Sequence, residues 1–157
     1  MKKRIKILVI GIGNEFRSDD AIGIITARKL KEKKPENTGV AENNGDGASL
    51  IEQWHGYDKV ILIDAVKFNN NPGRVHVIDA NNNPLPKDIS LDSSHLFNIP
   101  EAIETARVLN RLPLSMTIYG IEGKNFEAGT DITKEVSEAA GEVVSRVLNE
   151  IRSLNKE

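Results

Sequence analysis

The first long apolar run, Ile5 to Ile10, is broken only by Lys6 and stops at Gly11 and Gly13. A short continuous run closed by glycines predicts a buried strand followed by a sharp turn. Two adjacent carboxylates, Asp19 and Asp20, then precede residues at helical spacing: Ile22, Ile25, Lys29 and Leu30, with Ala21 and Ala27. This predicts a helix running to Lys33-Lys34-Pro35, where the lysines suit the negative end of the dipole and the proline stops it. Ser18 or Asp19 is its expected N-cap, with Asp20 in the first turn. Thr38 to Glu42 is a short strand candidate, and Asn43-Asn44-Gly45-Asp46-Gly47 a loop. Leu50, Ile51 and Trp54 mark a short amphipathic helix closed by Gly56.

Lys59 to Val66 form the second strong strand; Val60 to Ile63 are continuously apolar, as in a strand covered on both faces, and Asp64 ends that apolar run. Arg74 to Asp79 alternate in part, which suits a strand nearer an edge. Ala80 to Ser94 are rich in Asn, Pro, Asp and Ser without periodicity, a loop long enough to suggest a functional one. Pro100 opens a helix with Ala102, Ile103, Ala106 and Leu109 inward, ending before Pro113. Ser115 to Ile121 form another strand and Glu122 to Gly129 a loop. Asp131 or Thr133 is the expected cap of a long last helix, whose apolar stripe is Val136, Ala140, Val143, Val147 and Ile151, with Val144 and Leu148 beside it.

Strands alternating with helices, without linker or internal repeat, predict one domain over residues 1–157. Its class is α/β: three layers, with a largely parallel or mixed central sheet flanked by helices on both faces. The 39% hydrophobic and 28% charged content describes a globular chain. No apolar run approaches the roughly 20 residues of a membrane span. The basic start leads into Gly-Ile-Gly-Asn and not into a small-residue cleavage site, so it is read as a strand and not a secretion signal. The absence of cysteine excludes disulfides, thiolate nucleophiles and Cys-metal sites. A cytoplasmic protein is expected, with no membrane partner. A net charge of −2 without a dominant basic patch argues against nucleic-acid binding.

Candidate chemistry gathers where strands end. Gly11-x-Gly13 has part of a dinucleotide fingerprint, but Phe16 stands at the third glycine, and no Gly-Lys-Ser/Thr of a phosphate loop occurs. Asp19 and Asp20 suit a helix start whether or not they have a further role. Asp64, ending a buried strand, belongs at the carboxyl edge of the sheet, where a carboxylate needs a partner or a metal. Of the three histidines, His55 and His76 lie in a helix end and an edge strand, whereas His95 follows Ser93-Ser94 at the end of the long polar loop. Asp20, Asp64 and His95 together offer two hard oxygens and an imidazole nitrogen, a set able to hold a divalent metal with coordination positions open.

As a set these residues resemble the hydrogenase maturation endopeptidases. Gly11-Ile-Gly-Asn14 through Asp19-Asp20-Ala-Ile-Gly23 matches that family's G-x-G-N-x-x-x-x-D-[DE]-[GA]-x-G. The likeness continues through Ile63-Asp64-Ala65, Pro72-Gly73, Ser94-His95, Pro113, Gly120-Ile121 and Gly129. The resemblance implies a peptidase that removes a short C-terminal extension from the large-subunit precursor of a nickel-iron hydrogenase after nickel insertion. It assigns metal binding and catalysis to Asp20, Asp64 and His95, leaves Asp19 its helix-capping role, and implies nickel supplied by the bound precursor. One departure is visible. Many members carry Asp-Gly-Gly-Thr before the second amphipathic helix, where this chain has Glu42-Asn43-Asn44-Gly45. That loop is expected to help select the hydrogenase. The rival reading is a nickel-binding checkpoint or chaperone in hydrogenase assembly that uses the same ligands without cutting.

Overall fold

The computed structural model describes residues 4–85, 90–91 and 98–156. Strand β1 (Ile7–Ile12) leads through a 3-10 turn (Ser18–Ala21) into α1 (Ile22–Glu32). Then follow β2 (Thr38–Asn43), α2 (Gly47–Trp54), β3 (Lys59–Lys67), β4 (Val75–Asp79), β5 (Ser90–Leu91), α3 (Ile99–Val108), β6 (Ser115–Glu122) and α4 (Lys134–Lys156). The sheet order is β2-β1-β3-β6-β4, with β5 paired to β3. β2, β1, β3 and β6 are parallel, while β4 lies antiparallel on β6 and β5 antiparallel on β3, so the sheet is mixed.

Alternation along the strands divides the core into two layers. Leu8, Ile10, Leu62 and Ile118 face one side, against Leu50 and Trp54 of α2 and Ile103 and Ala106 of α3. Ile7, Val9, Ile61 and Ile63 face the other, against Ile22 and Leu30 of α1 and the α4 stripe from Val136 to Ile151. Burial of each such branched side chain stabilises the fold by about 1.5–3 kcal/mol, enough to hold both helix layers on the sheet. α3 is started by Pro100 and by Asn98, whose Oδ1 accepts from Glu101 N–H at 3.1 Å. At the amino edge of the sheet the buried Lys59 donates to Thr117 Oγ1 at 2.7 Å and pairs with Glu150 at 2.9 Å. Tyr119 also donates to Glu150, at 2.7 Å, tying α4 to β6.

Four local expectations need correction. β1 does not stop at Gly11, which pairs with both Glu42 and Ile63; its missing Cβ lets α1 approach, since a Cβ would meet the Gly23 carbonyl and Ala27. Asp64 does not end its strand but lies within β3, which reaches Lys67 because β6 continues beside it and β5 pairs with Val66 and Lys67. Leu109 is not inward: α3 has ended at Val108, and Leu109 is exposed. Neither Ser18 nor Asp19 makes a side-chain cap on the 3-10 turn or on α1.

Candidate active site at the carboxyl edge of the sheet

From β1 the chain steps to β2 on one side, then crosses back to β3 on the other. The loops after β1 and β3 therefore diverge at the carboxyl ends of adjacent parallel strands, the switch point where α/β folds place ligands. Two glycines let the backbone close there. Gly13, at φ +157°, packs on the Asp20 carbonyl, and a Cβ on Gly23 would strike the carbonyls of Ile12 and Ile63. The 3-10 turn carrying Asp20 thus sits against β3 and against Gly13, just past the end of β1.

Asp19 holds that turn in place. It is 0% exposed, and its carboxylate accepts from four donors. Oδ1 takes Thr133 N–H at 2.7 Å; Oδ2 takes Lys124 N–H at 2.8 Å, Asn125 N–H at 2.9 Å and the Thr133 hydroxyl at 2.7 Å. Burial pushes its pKa up, but the hydrogen bonds from Thr133, Asn125 and Lys124 outweigh that and hold it below the ordinary carboxylate value. Ser18 adds a second seam: its N–H donates to Gly129 O at 2.8 Å and its hydroxyl to Glu127 O at 2.9 Å. Asp19 is therefore a cross-link between the turn and the segment before α4, where the sequence suggested a helix cap. Its donors are mostly backbone amides from a distant stretch, which no local motif signals.

Asp20 is 4% exposed, with Arg17 Nη1 at 3.9 Å, and lines an open cleft of about 1000 Å³. The cleft runs between the β1–α1 loop and the β2–α2 loop, past Gly13, Asn14, Glu42, Asn44 and Gln53. Asp64 is 3% exposed and accepts from Ala65 N–H at 2.8 Å. Its strand neighbours Leu62 and Val66 belong to the α2/α3 layer, so by alternation Asp64 faces that layer, just beyond the end of its pairing with β1. It does not line the large cleft. His95 lies outside the described residues. The segment carrying it is bracketed by Leu91, which pairs with Val66 two residues past Asp64, and by the start of α3. Among the described residues no group of three or more acidic or histidine side chains is disposed to hold a metal.

The mouth of the cleft is ordered by two further devices. Arg28 donates to both oxygens of Glu42, at 2.8 and 2.9 Å, and to both of Glu15, at 3.0 and 3.1 Å, joining the β1–α1 loop to the end of β2. Asn43 donates to Ser49 Oγ at 2.9 Å and Gln53 Oε1 at 2.7 Å, while its Oδ1 accepts from Gly45 N–H. It thereby fastens the loop that departs from Asp-Gly-Gly-Thr. Phe16 stands 70% exposed at the rim, although its backbone is held by Asn14 Oδ1 and Gly129 N–H.

A sequence model of the hydrogenase maturation protease family matches residues 24–150, a span that includes Asp64 and His95 and begins after Asp20. A Methanocaldococcus jannaschii protein provisionally assigned as a hydrogenase maturation protease is 29% identical, over 97% of this chain and 99% of its own. Among solved structures, the [NiFe] hydrogenase maturation protease HybD of Thermococcus kodakarensis superposes with a TM-score of 0.75 at 24% identity, covering 94% of this chain and 99% of that one. The hydrogenase maturating endopeptidase HybD of Escherichia coli gives 0.77 at 21% identity, covering 95% and 93%. These two show the same α/β fold. The chain belongs to the hydrogenase maturation protease family and is a peptidase.

Proposed function

We propose that this peptidase removes a short C-terminal extension from the nickel-loaded large-subunit precursor of a nickel-iron hydrogenase, by metal-dependent hydrolysis of one peptide bond. The observation that carries the reading is a pair of almost fully buried carboxylates, Asp20 and Asp64, at the switch point of the sheet in a family of hydrogenase maturation proteases. Carboxylate oxygens are hard donors, and burial raises the gain from a cation bound to them. His95 completes the proposed set, on the strength of its motif and of the short path from Leu91 beside β3. The nickel is part of the substrate, arriving in the precursor. A divalent ion held there supplies polarisation of the scissile carbonyl or activation of water. Asp19 keeps the Asp20 turn in register, and the long cleft beside it receives the extended chain. The cytoplasm is the proposed location of the reaction.

The test is incubation of purified protein with nickel-loaded and nickel-free precursor, read by mass. Shortening of the loaded precursor alone is expected. Asp64→Asn and His95→Ala are expected to fold with near-normal thermal midpoints and leave the precursor intact. Full cleavage by both variants overturns the ligand assignment. Nickel retention by the protein without shortening of the precursor favours a checkpoint role.

A further inference from the structure

The large cleft beside Asp20 is polar on most of its walls. Its described lining side chains are mainly amides, carboxylates and a hydroxyl, and only Phe16 and Ile24 bring large apolar groups. Ile24 is buried on the flank of α1 and offers little surface. Phe16 is 70% exposed. The other exposed large apolar side chains, Val77, Val108, Leu109 and Leu114, do not line the cleft. Trp54 and Tyr119 are buried, and Tyr57, Phe68 and Phe126 are half-buried. Among the described residues, Phe16 is therefore the one Phe, Tyr or Trp left in solvent, and it stands in the wall of the cleft.

One exposed ring on a protein surface needs no explanation by itself. Phe16 differs because its backbone is fixed on both sides while the ring is left in water. Its N–H donates to Asn14 Oδ1 at 2.9 Å, and its carbonyl accepts from Gly129 N–H at 2.8 Å. Two residues on, Ser18 N–H donates to Gly129 O at 2.8 Å, and Ser18 holds φ +53°, a conformation that serine adopts when its surroundings impose it. The bonds that seat the Asp20 turn thus also fix where the ring is presented. A chain lying in the cleft exchanges water for protein partners along the polar walls, at small net gain for each hydrogen bond. Covering a phenyl ring releases apolar surface from water with no such exchange, so the apolar share of binding concentrates on Phe16.

We propose that Phe16 is a specificity-determining residue, its ring packing against an apolar side chain of the substrate polypeptide and seating that chain beside Asp20. The proposal rests on the reading that a polypeptide is processed at this edge of the sheet. It adds a recognition contact that none of the proposed metal ligands makes.

The test uses the full chain and the nickel-loaded precursor. Phe16→Ala is expected to keep the native thermal midpoint, because the ring lies mostly in water. It is expected to raise KM about tenfold or more while kcat changes less than about threefold, the pattern of a contact made equally in ground and transition states. Phe16→Leu keeps an apolar side chain and is expected to hold KM within about threefold of native. An unchanged KM in Phe16→Ala overturns the proposal, as does a loss confined to kcat or a Phe16→Leu no better than Phe16→Ala. A second measurement needs no cleavage. With para-fluorophenylalanine at the four Phe positions, the Phe16 resonance is the one missing from Phe16→Leu. Its fluorine shift differs between H₂O and D₂O while the ring is in water, and saturating precursor, nickel-loaded or nickel-free, is expected to remove most of that difference. A difference that neither precursor changes overturns the proposal. Normal cleavage with the ring still in water refutes this contact alone. A covered ring on a precursor that is never shortened supports the contact and overturns the proposed cleavage.

Discussion

Replacing Asp19 by Asn changes one atom and tests how the Asp20 turn is held. The carboxylate accepts from Thr133 N–H on one oxygen and from Lys124 N–H, Asn125 N–H and the Thr133 hydroxyl on the other. An amide has one acceptor oxygen. Oriented best, it keeps the three donors at Oδ2 and turns its NH₂ toward Thr133 N–H, setting donor against donor. One bond is lost and three lose their charge assistance, which together cost about 2 kcal/mol. Asp19→Ala loses all four; Lys124 and Asn125 are exposed enough for water to compensate in part, so the cost is about 3–4 kcal/mol. In a chain of this length 2 kcal/mol lowers the thermal midpoint by roughly 4–8 °C. Urea denaturation at neutral pH, with the slope held equal, measures both variants directly.

The pH dependence has a definite sign. The folded-state pKa of Asp19 lies below its ordinary value of 3.8, so the carboxylate contributes its full stability above that value. The contribution fades as pH falls below 3.8 and through the folded-state pKa. The advantage of the native chain over Asp19→Asn is therefore full at neutral pH and shrinks in acid. An Asn variant within about 0.5 kcal/mol of the native chain at pH 7, or a gap undiminished at pH 3, would refute the reasoning.

Gly23→Ala drives a methyl into the carbonyls of Ile12 and Ile63 and is expected to cost at least about 3 kcal/mol, measured by urea denaturation. Lys59→Met removes the cation that pairs with Glu150 and donates to Thr117, at the edge far from the site; it should cost about 2 kcal/mol while cleavage survives in the folded fraction. Glu42→Gln loosens the Arg28 clamp at the cleft mouth; it is expected to spare peptide-bond hydrolysis and alter at most which precursor is accepted, as a comparison of two precursors by mass would show.

The elements that position the site were largely legible in the sequence because their signal is local. Val60 to Ile63 read as a two-sided buried strand and are one, and the stripe from Val136 to Ile151 faces the sheet. Local signals mislead where a partner strand decides the outcome. Asp64 looked like a strand end because the apolar run stops there, yet β6 and β5 carry the pairing three residues further. β5, with two residues, has no periodicity to read. Asp19 was the larger miss: an acid before a helix suggests a cap, and nothing local distinguishes that from a carboxylate held by Thr133 and two loop amides. Glu122 likewise read as the first residue of a loop, although it is the last residue of β6 and is 1% exposed.

The bonds that seat Asp19 span 105 to 114 residues of chain. During synthesis, β1, β2 and β3, together with Asp20 and Asp64, are all complete before Lys124 and Thr133 exist. A nascent chain that has emerged only through β3 carries both carboxylates and lacks the donors that fix the turn carrying Asp20. Such long-range closure comes late, after much loop entropy has been lost. A peptide-cutting centre assembled in this order stays unformed on the ribosome until α4 begins, and it appears together with the completed fold.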